Sequence, residues 1–212
     1  MSYHLFVQPL DCKYDFLEDI GRESREIYEH KVKSFEVLSV KTLPEHLLLK
    51  PRSFLAKFFM KGRKMIYFND LYEALKADFK YDSEKIRLFV LPHLVIGFGY
   101  DLAGFYFGSN LSIVSTYGMK EKYLRQSCVG VSLHEIGHNV GLRHCRVNGC
   151  LMKAPCKPKN FYAGIYKLCA EHKNQILNSS LKPAFNKEFT EETYMWTRKI
   201  HNKEGLAAGK HN

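Results

Sequence analysis

Four residues that can handle metals and protons, and one glycine, fall at telling intervals between positions 134 and 144: His134, Glu135, His138, Gly141 and His144 read HExxHxxGxxH. On a helix, His134 and His138 stand one turn apart on one face and can share an ion. Continued at roughly 100° per residue, the helix would turn His144 about 240° away from His138, so it has to end first. Gly141 can end it, because glycine enters the left-handed region without a Cβ penalty and lets the chain double back toward the metal.

Three neutral imidazoles form an open set. Closed structural zinc sites use four protein ligands, whereas catalytic ones keep a position for water. Zinc lowers the pKa of that water to about 7, and a neighbouring carboxylate, here Glu135, can take its proton as general base. The spacing therefore predicts zinc-dependent hydrolysis.

A helix from about Lys120 to Val140 must position these groups. Val129, Leu133, Ile136 and Val140 recur on it at helical intervals, an apolar stripe about 140° around the axis from the two ligands. Gly130 and Gly137 lie between the two faces, where a missing side chain allows another backbone to approach closely.

With 212 residues, 45% of them hydrophobic, the chain is expected to form one compact domain, in one or two lobes. No apolar run approaches the roughly 20 residues that span a bilayer, and Met1 to Leu5 lacks the basic and long apolar regions of a secretory signal. The expected location is the cytoplasm, with no membrane partner. Of six cysteines, Cys145, Cys150, Cys156 and Cys169 crowd just behind the motif. In a reducing compartment that pattern favours metal over disulfides. Cys12 and Cys128 stand apart and read as buried small hydrophobes.

The net charge of +10 raises nucleic acid as a partner, but residues 127 to 181 hold seven Lys and Arg against two Asp and Glu, half of the excess. Metal-bound cysteines are thiolates and would cancel most of it. The remaining basic residues form no continuous stripe and are not interleaved with an RNA-binding aromatic motif.

The spacing predicts a strand from Tyr3 to Gln8, a helix from Lys13 to Lys31 and a strand from Phe35 to Lys41, hence a parallel pair with the helix packed on the sheet. Pro51 to Met60 is apolar and open between strand and helix. Asn69 reads as the cap of a helix to about Phe79, with Leu71, Leu75 and Phe79 buried, followed by an apolar strand from Ile86 to Leu91 that completes a second strand-helix-strand unit. Val95 to Thr116 reads as two short strands joined by a turn, either a wall of the substrate cleft or a plain hairpin. Beyond the cysteines, helices are expected from about Gly164 to Ser179 and between Glu191 and Asn202.

A second constellation follows the motif. Cys145 and Cys150 lie five apart, and Cys169 and His172 three apart on one predicted helical face, together matching a closed structural zinc site. Cys156 competes with His172 for the fourth place. Lys153, Lys157 and Lys159 favour a thiolate there, but Pro155 and Pro158 stiffen its loop.

The run from His134 through His144, Cys145 and Cys150 to Met152 resembles the archaemetzincins, a subfamily of the metzincin zinc peptidases. The resemblance covers residues 134 to 172. It implies an α/β fold with a mixed, mostly parallel sheet, a backing helix and the metal helix in an upper lobe, about 1–141. It also implies a small lower lobe, about 142–204, with structural zinc, and residues 205–212 would be a flexible tail. In that frame His134, His138 and His144 hold catalytic zinc, Glu135 is general base and then acid, and Met152 forms the turn beneath the metal. Two zinc ions per chain follow. The family's Cys-x-x-Cys pair after the methionine is replaced here by Cys169 and His172, and Ala154 stands where some metzincins place a tyrosine ligand.

The reading is thus a zinc peptidase acting on peptide or protein substrates. Endopeptidase and aminopeptidase are both open, with Asp101 the nearest acidic anchor in sequence for a free amine. The rival reading is a non-hydrolytic, zinc-stabilised module that binds protein or nucleic acid.

Overall fold

The computed structural model describes residues 2–49, 64–78, 82–97, 100–102, 104–108 and 110–178. The expected elements at Pro51–Met60 and Glu191–Asn202, Phe79 at the end of the expected helix from Asn69, and the 205–212 tail lie outside these residues.

β1 (Tyr3–Pro9), α1 (Leu17–Ile27) and β2 (Val32–Val37) form the expected parallel pair with its crossover helix, in register from Leu5 opposite Phe35 to Val7 opposite Val37. The helix is shorter than its pattern at both ends. Its C-terminus stops at Tyr28, which is fully buried and donates its hydroxyl to the Leu133 carbonyl at 2.7 Å, so the chain leaves the helix axis there. β2 begins earlier than its β-branched run, and contact with the first strand resumes as an isolated bridge between Leu10 and Lys41.

β3 (Met65–Tyr67) runs directly into α2 (Phe68–Asp78), so Asn69 lies in the first helical turn and not at the N-cap position. Leu71 and Leu75 are buried. β4 (Lys85–Leu91) follows as the expected apolar strand, but β3, which the sequence pattern did not predict, does not share a sheet with it. β4 already has parallel neighbours on both sides, β1 and β8 (Leu111–Ser115), so no edge is left for β3. β3 pairs instead with β5 (Leu94–Gly97), which pairs with β6 (Tyr100–Leu102) in a separate three-stranded sheet. The glycine-rich stretch thus contains four strands, because β7 (Gly104–Gly108) and β8 form a second antiparallel pair in the large sheet. Glycines that read as turns between two strands separate two hairpins.

The large sheet has the order β2-β1-β4-β8-β7, parallel except for its edge strand β7. A strand buried on both faces reads as a continuous apolar run, and β4 divides its residues accordingly. Ile86, Leu88 and Val90 join a core with α1 and α3 (Leu124–Asn139), while Phe89 and Leu91 join a second core with α2. Asp19 of α1 bonds Arg125 of α3 at 2.6 Å, tying the two helices together on the first face. The lower part of the chain is mostly irregular, ending in α4 (Ala170–Leu177), which is shorter than its pattern. Residues 164–169 before it are not helical, and the Lys167 carbonyl accepts from the Leu151 amide at 2.7 Å. No helix among the described residues is long and apolar enough to cross a membrane.

Candidate metal centre

α3 is buried on every side from Ser127 to Asn139, not on one apolar stripe alone. Its small residues admit side chains, where sequence suggested a neighbouring backbone. A Cβ on Gly130 would collide with the Phe161 ring, and one on Gly137 with Met152 Sδ and, at 2.8 Å, with the Tyr28 hydroxyl. Met152 and Phe161, from the chain that follows the motif, therefore pack on the helix at its two glycines. Asn139 Nδ2 donates to Ser112 Oγ at 2.7 Å and fixes the helix to β8.

The helix ends in a Schellman turn. Leu142 N bonds the Gly137 carbonyl at 2.9 Å, Gly141 N bonds the His138 carbonyl at 3.0 Å, and Gly141 has φ +99°. This turn does two things at once. It brings His144 back to the helical pair, and it aims the Leu142 carbonyl at His138 Nδ1, 2.9 Å away. From the segment that follows His144, the Leu151 carbonyl meets His134 Nδ1 at 2.8 Å. Cys145 N bonds the Met152 carbonyl at 2.9 Å, which holds the residue after His144 to the same segment.

A carbonyl can only accept, so each Nδ1 carries the proton and each Nε2 keeps its lone pair. His134 Nε2 lies 3.2 Å from both His138 Nε2 and His144 Nε2. Bare lone pairs facing one another at that distance repel unless a cation sits among them. Nitrogens shared by a tetrahedral zinc stand about 3.3 Å apart, so the cluster fits such an ion. Burial holds the His134 imidazolium down, to a pKa of about 3, with the Leu151 bond opposing and the His144 ring assisting. Burial likewise keeps His138 well below its ordinary value. Both rings are neutral donors at physiological pH.

Glu135 is 4% exposed, beside Gly104 of β7, where a Cβ would approach its Oε1 to 2.7 Å. Among the described residues its carboxylate has no hydrogen-bond or ion-pair partner, and burial raises its pKa to about 8. A dication alongside would favour the carboxylate and draw that value down.

The second cluster lies behind His144. The ligand atoms of Cys145, Cys150, Cys169 and His172 are all within 4.8 Å of one another. His172 Nδ1 is 3.3 Å from Cys150 Sγ and 3.5 Å from Cys169 Sγ. Cys169 is the residue that precedes α4, so it and His172 share the first turn without both being helical. Burial pushes the Cys169 thiol up, but the His172 and Glu171 amides and the neighbouring thiols outweigh it and leave it below its ordinary value. Cys156 is elsewhere: its sulfur groups with His134 and Glu135. Met152 is fully buried under Gly137, and Cys12 and Cys128 are buried in the core. Asp101 lies in β6, with its side chain outside the described residues.

No family model and no curated protein matches the sequence. Among solved structures, an archaemetzincin from Methanopyrus kandleri is similar over 84% of this chain and 95% of its own, with a TM-score of 0.60 at 18% identity. The chain has the archaemetzincin fold. An archaemetzincin from Archaeoglobus fulgidus matches 81% of this chain and 99% of its own, with a TM-score of 0.56 at 17% identity. A zinc-dependent peptidase from Methanocorpusculum labreanum matches 82% and 99%, with a TM-score of 0.56 at 16% identity.

Within this archaemetzincin fold, the groups that sequence reasoning missed are mostly backbone. The Leu142 and Leu151 carbonyls orient two imidazoles, yet a carbonyl leaves no mark in residue type. Tyr28 braces α3 from more than a hundred positions away, and only its place at the end of an amphipathic helix hinted at burial. The nearness of Cys156 to Glu135 had no sequence signal, because it depends on how the loop after Met152 folds.

Proposed function

We propose that the protein is a zinc-dependent peptidase. The observation that carries this reading is the convergence of three Nε2 atoms, two of them on rings whose lone pairs are turned inward by carbonyls at Nδ1, beside the buried Glu135 carboxylate. When bound there, zinc would supply Lewis acidity, lowering the pKa of a coordinated water and polarising a peptide carbonyl.

The chain's own residues do the rest. His134, His138 and His144 would hold the ion as three protein ligands, a set that leaves a position for water and substrate. Glu135 Oε takes a proton from the attacking water and passes it to the leaving amine nitrogen, as general base and then acid. Burial suits it to that exchange, since its proton affinity is set by the ion and the dry surroundings and not by competing hydrogen bonds. Met152, packed against Gly137, keeps the Leu151 carbonyl on His134. In this reading Cys145, Cys150, Cys169 and His172 hold a second, structural zinc that fixes the strand of chain carrying His144.

The test is incubation of metal-loaded protein with a diverse peptide pool, with cleavage positions mapped by mass spectrometry. Cuts confined to first residues would mark an aminopeptidase, and internal cuts an endopeptidase. Glu135→Gln should keep its metal and lose at least about 100-fold in turnover. Turnover unchanged in that variant would remove Glu135 from the mechanism, and a wild-type protein that fills its histidine site yet cuts nothing would favour the binding-module reading.

A further inference from the structure

We propose that Cys156 is a reversible fourth ligand of the metal held by the three histidines, a thiolate that occupies the open position until substrate displaces it. The proposal rests on the peptidase reading above.

Cys156 Sγ, a ring nitrogen of His134 and a carboxylate oxygen of Glu135 all lie within 4.8 Å of one another. Cys156 is separate from the cluster of Cys145, Cys150, Cys169 and His172, so no structural site uses it. Glu135 is more than nine-tenths buried and unpartnered among the described residues, so the thiol lies beside the carboxylate that the peptidase reading makes the general base.

The loop that carries Cys156 is braced at several points. Ala154 N bonds the Cys145 carbonyl at 3.2 Å, Asn160 Nδ2 donates to the Pro155 carbonyl at 3.1 Å, and Ser127 Oγ of α3 donates to the Pro158 carbonyl at 3.3 Å. Phe161 then locks onto Gly130. These contacts hold the thiol beside the metal helix, while its partial exposure leaves it room to swing. Cys156 Sγ is not within 4.8 Å of all three histidine nitrogens, so ligation requires its side chain to swing toward the set. In the step itself the S–H bond breaks and a sulfur–metal bond forms. The proton and the displaced water leave to solvent, and nothing is oxidised or reduced. Because the thiolate competes with water and substrate for one position, it would hold the enzyme partly latent.

The experiment uses full-length, zinc-loaded protein, with metal content measured by elemental analysis. Brief iodoacetamide alkylation is followed at the peptide containing Cys156, so the other cysteines do not interfere. We expect Cys156 to react at least about tenfold more slowly in the loaded protein than in His138→Ala, where the histidine site is broken. With cobalt(II) in place of zinc, Cys156→Ser should lose part of the sulfur-to-metal charge-transfer absorption of the wild type and should cleave peptides several-fold faster. Equal alkylation in wild type and His138→Ala, with the histidine site filled in the wild type, would overturn the ligation and leave the peptidase reading standing. If His138→Ala holds as much metal as the wild type, both fall together.

Discussion

Replacing Gly137 by alanine sets two effects of opposite sign against each other. On helix propensity alone, the change in the middle of α3 should stabilise by about 1 kcal/mol. The new Cβ, however, would overlap Met152 Sδ, lie 2.8 Å from the Tyr28 hydroxyl and stand 3.0 Å from Met152 Cε. Both neighbours are fully buried, so neither can swing into solvent. Overpacking of this kind costs about 1–3 kcal/mol, and displacing Tyr28 from the Leu133 carbonyl costs about 1 more. The net expectation is a loss of about 1–3 kcal/mol, or a fall in Tm of about 3–10 °C for a domain of this size. Metal binding should weaken as well. Met152 is followed back along the chain by the carbonyl that orients His134, and losing such a partner typically costs about 10–100-fold in affinity. Thermal unfolding of metal-loaded protein and competition with a chromogenic chelator measure the two effects. In a Met152→Ala background the penalty should largely vanish, since the space is then free. A Gly137→Ala protein as stable as wild type, or more so, would refute the claim that this glycine exists to admit Met152.

Fully loaded protein should contain two zinc ions per chain, the one at the open histidine set leaving readily to a chelator and the one at the thiolate set slowly; elemental analysis over a dialysis series that finds one would eliminate the second site. His172→Ala should lose the slow zinc and melt earlier, whereas Cys156→Ser should keep it, and the reverse pattern would reassign the fourth ligand. In metal-free protein, burial raises Glu135 to about 8. The folded state then keeps a proton that the unfolded chain has released, so this contribution favours folding at low pH and is lost as pH rises from about 4.5 to 8. Urea melts of metal-free wild type should therefore lose stability relative to Glu135→Gln between pH 5 and pH 9, and parallel curves would contradict a buried carboxyl.

Residue types and short intervals determined the chemistry legible in this chain. HExxH is helical arithmetic, and Gly141 announces its turn because few other residues tolerate a φ of +99°. The interval from Cys169 to His172 is one turn wide, so their pairing is local too. The first strand-helix-strand unit was equally readable, as its handed crossover leaves few alternatives. What tertiary structure alone decided involves partners distant in sequence or groups common to every residue. Whether β3 joins β4 depends on which edges other strands have taken. The one-sided stripe of α3 became a helix buried all round because Met152, Phe161 and Tyr28 arrive from three separate segments. The protons on His134 and His138 are placed by two backbone carbonyls, and Cys156 was drawn to Glu135 and away from the other thiols by a loop whose anchors, Asn160 and Ser127, are ordinary polar residues. Periodicity records which face of an element is buried, but it carries no record of what covers that face.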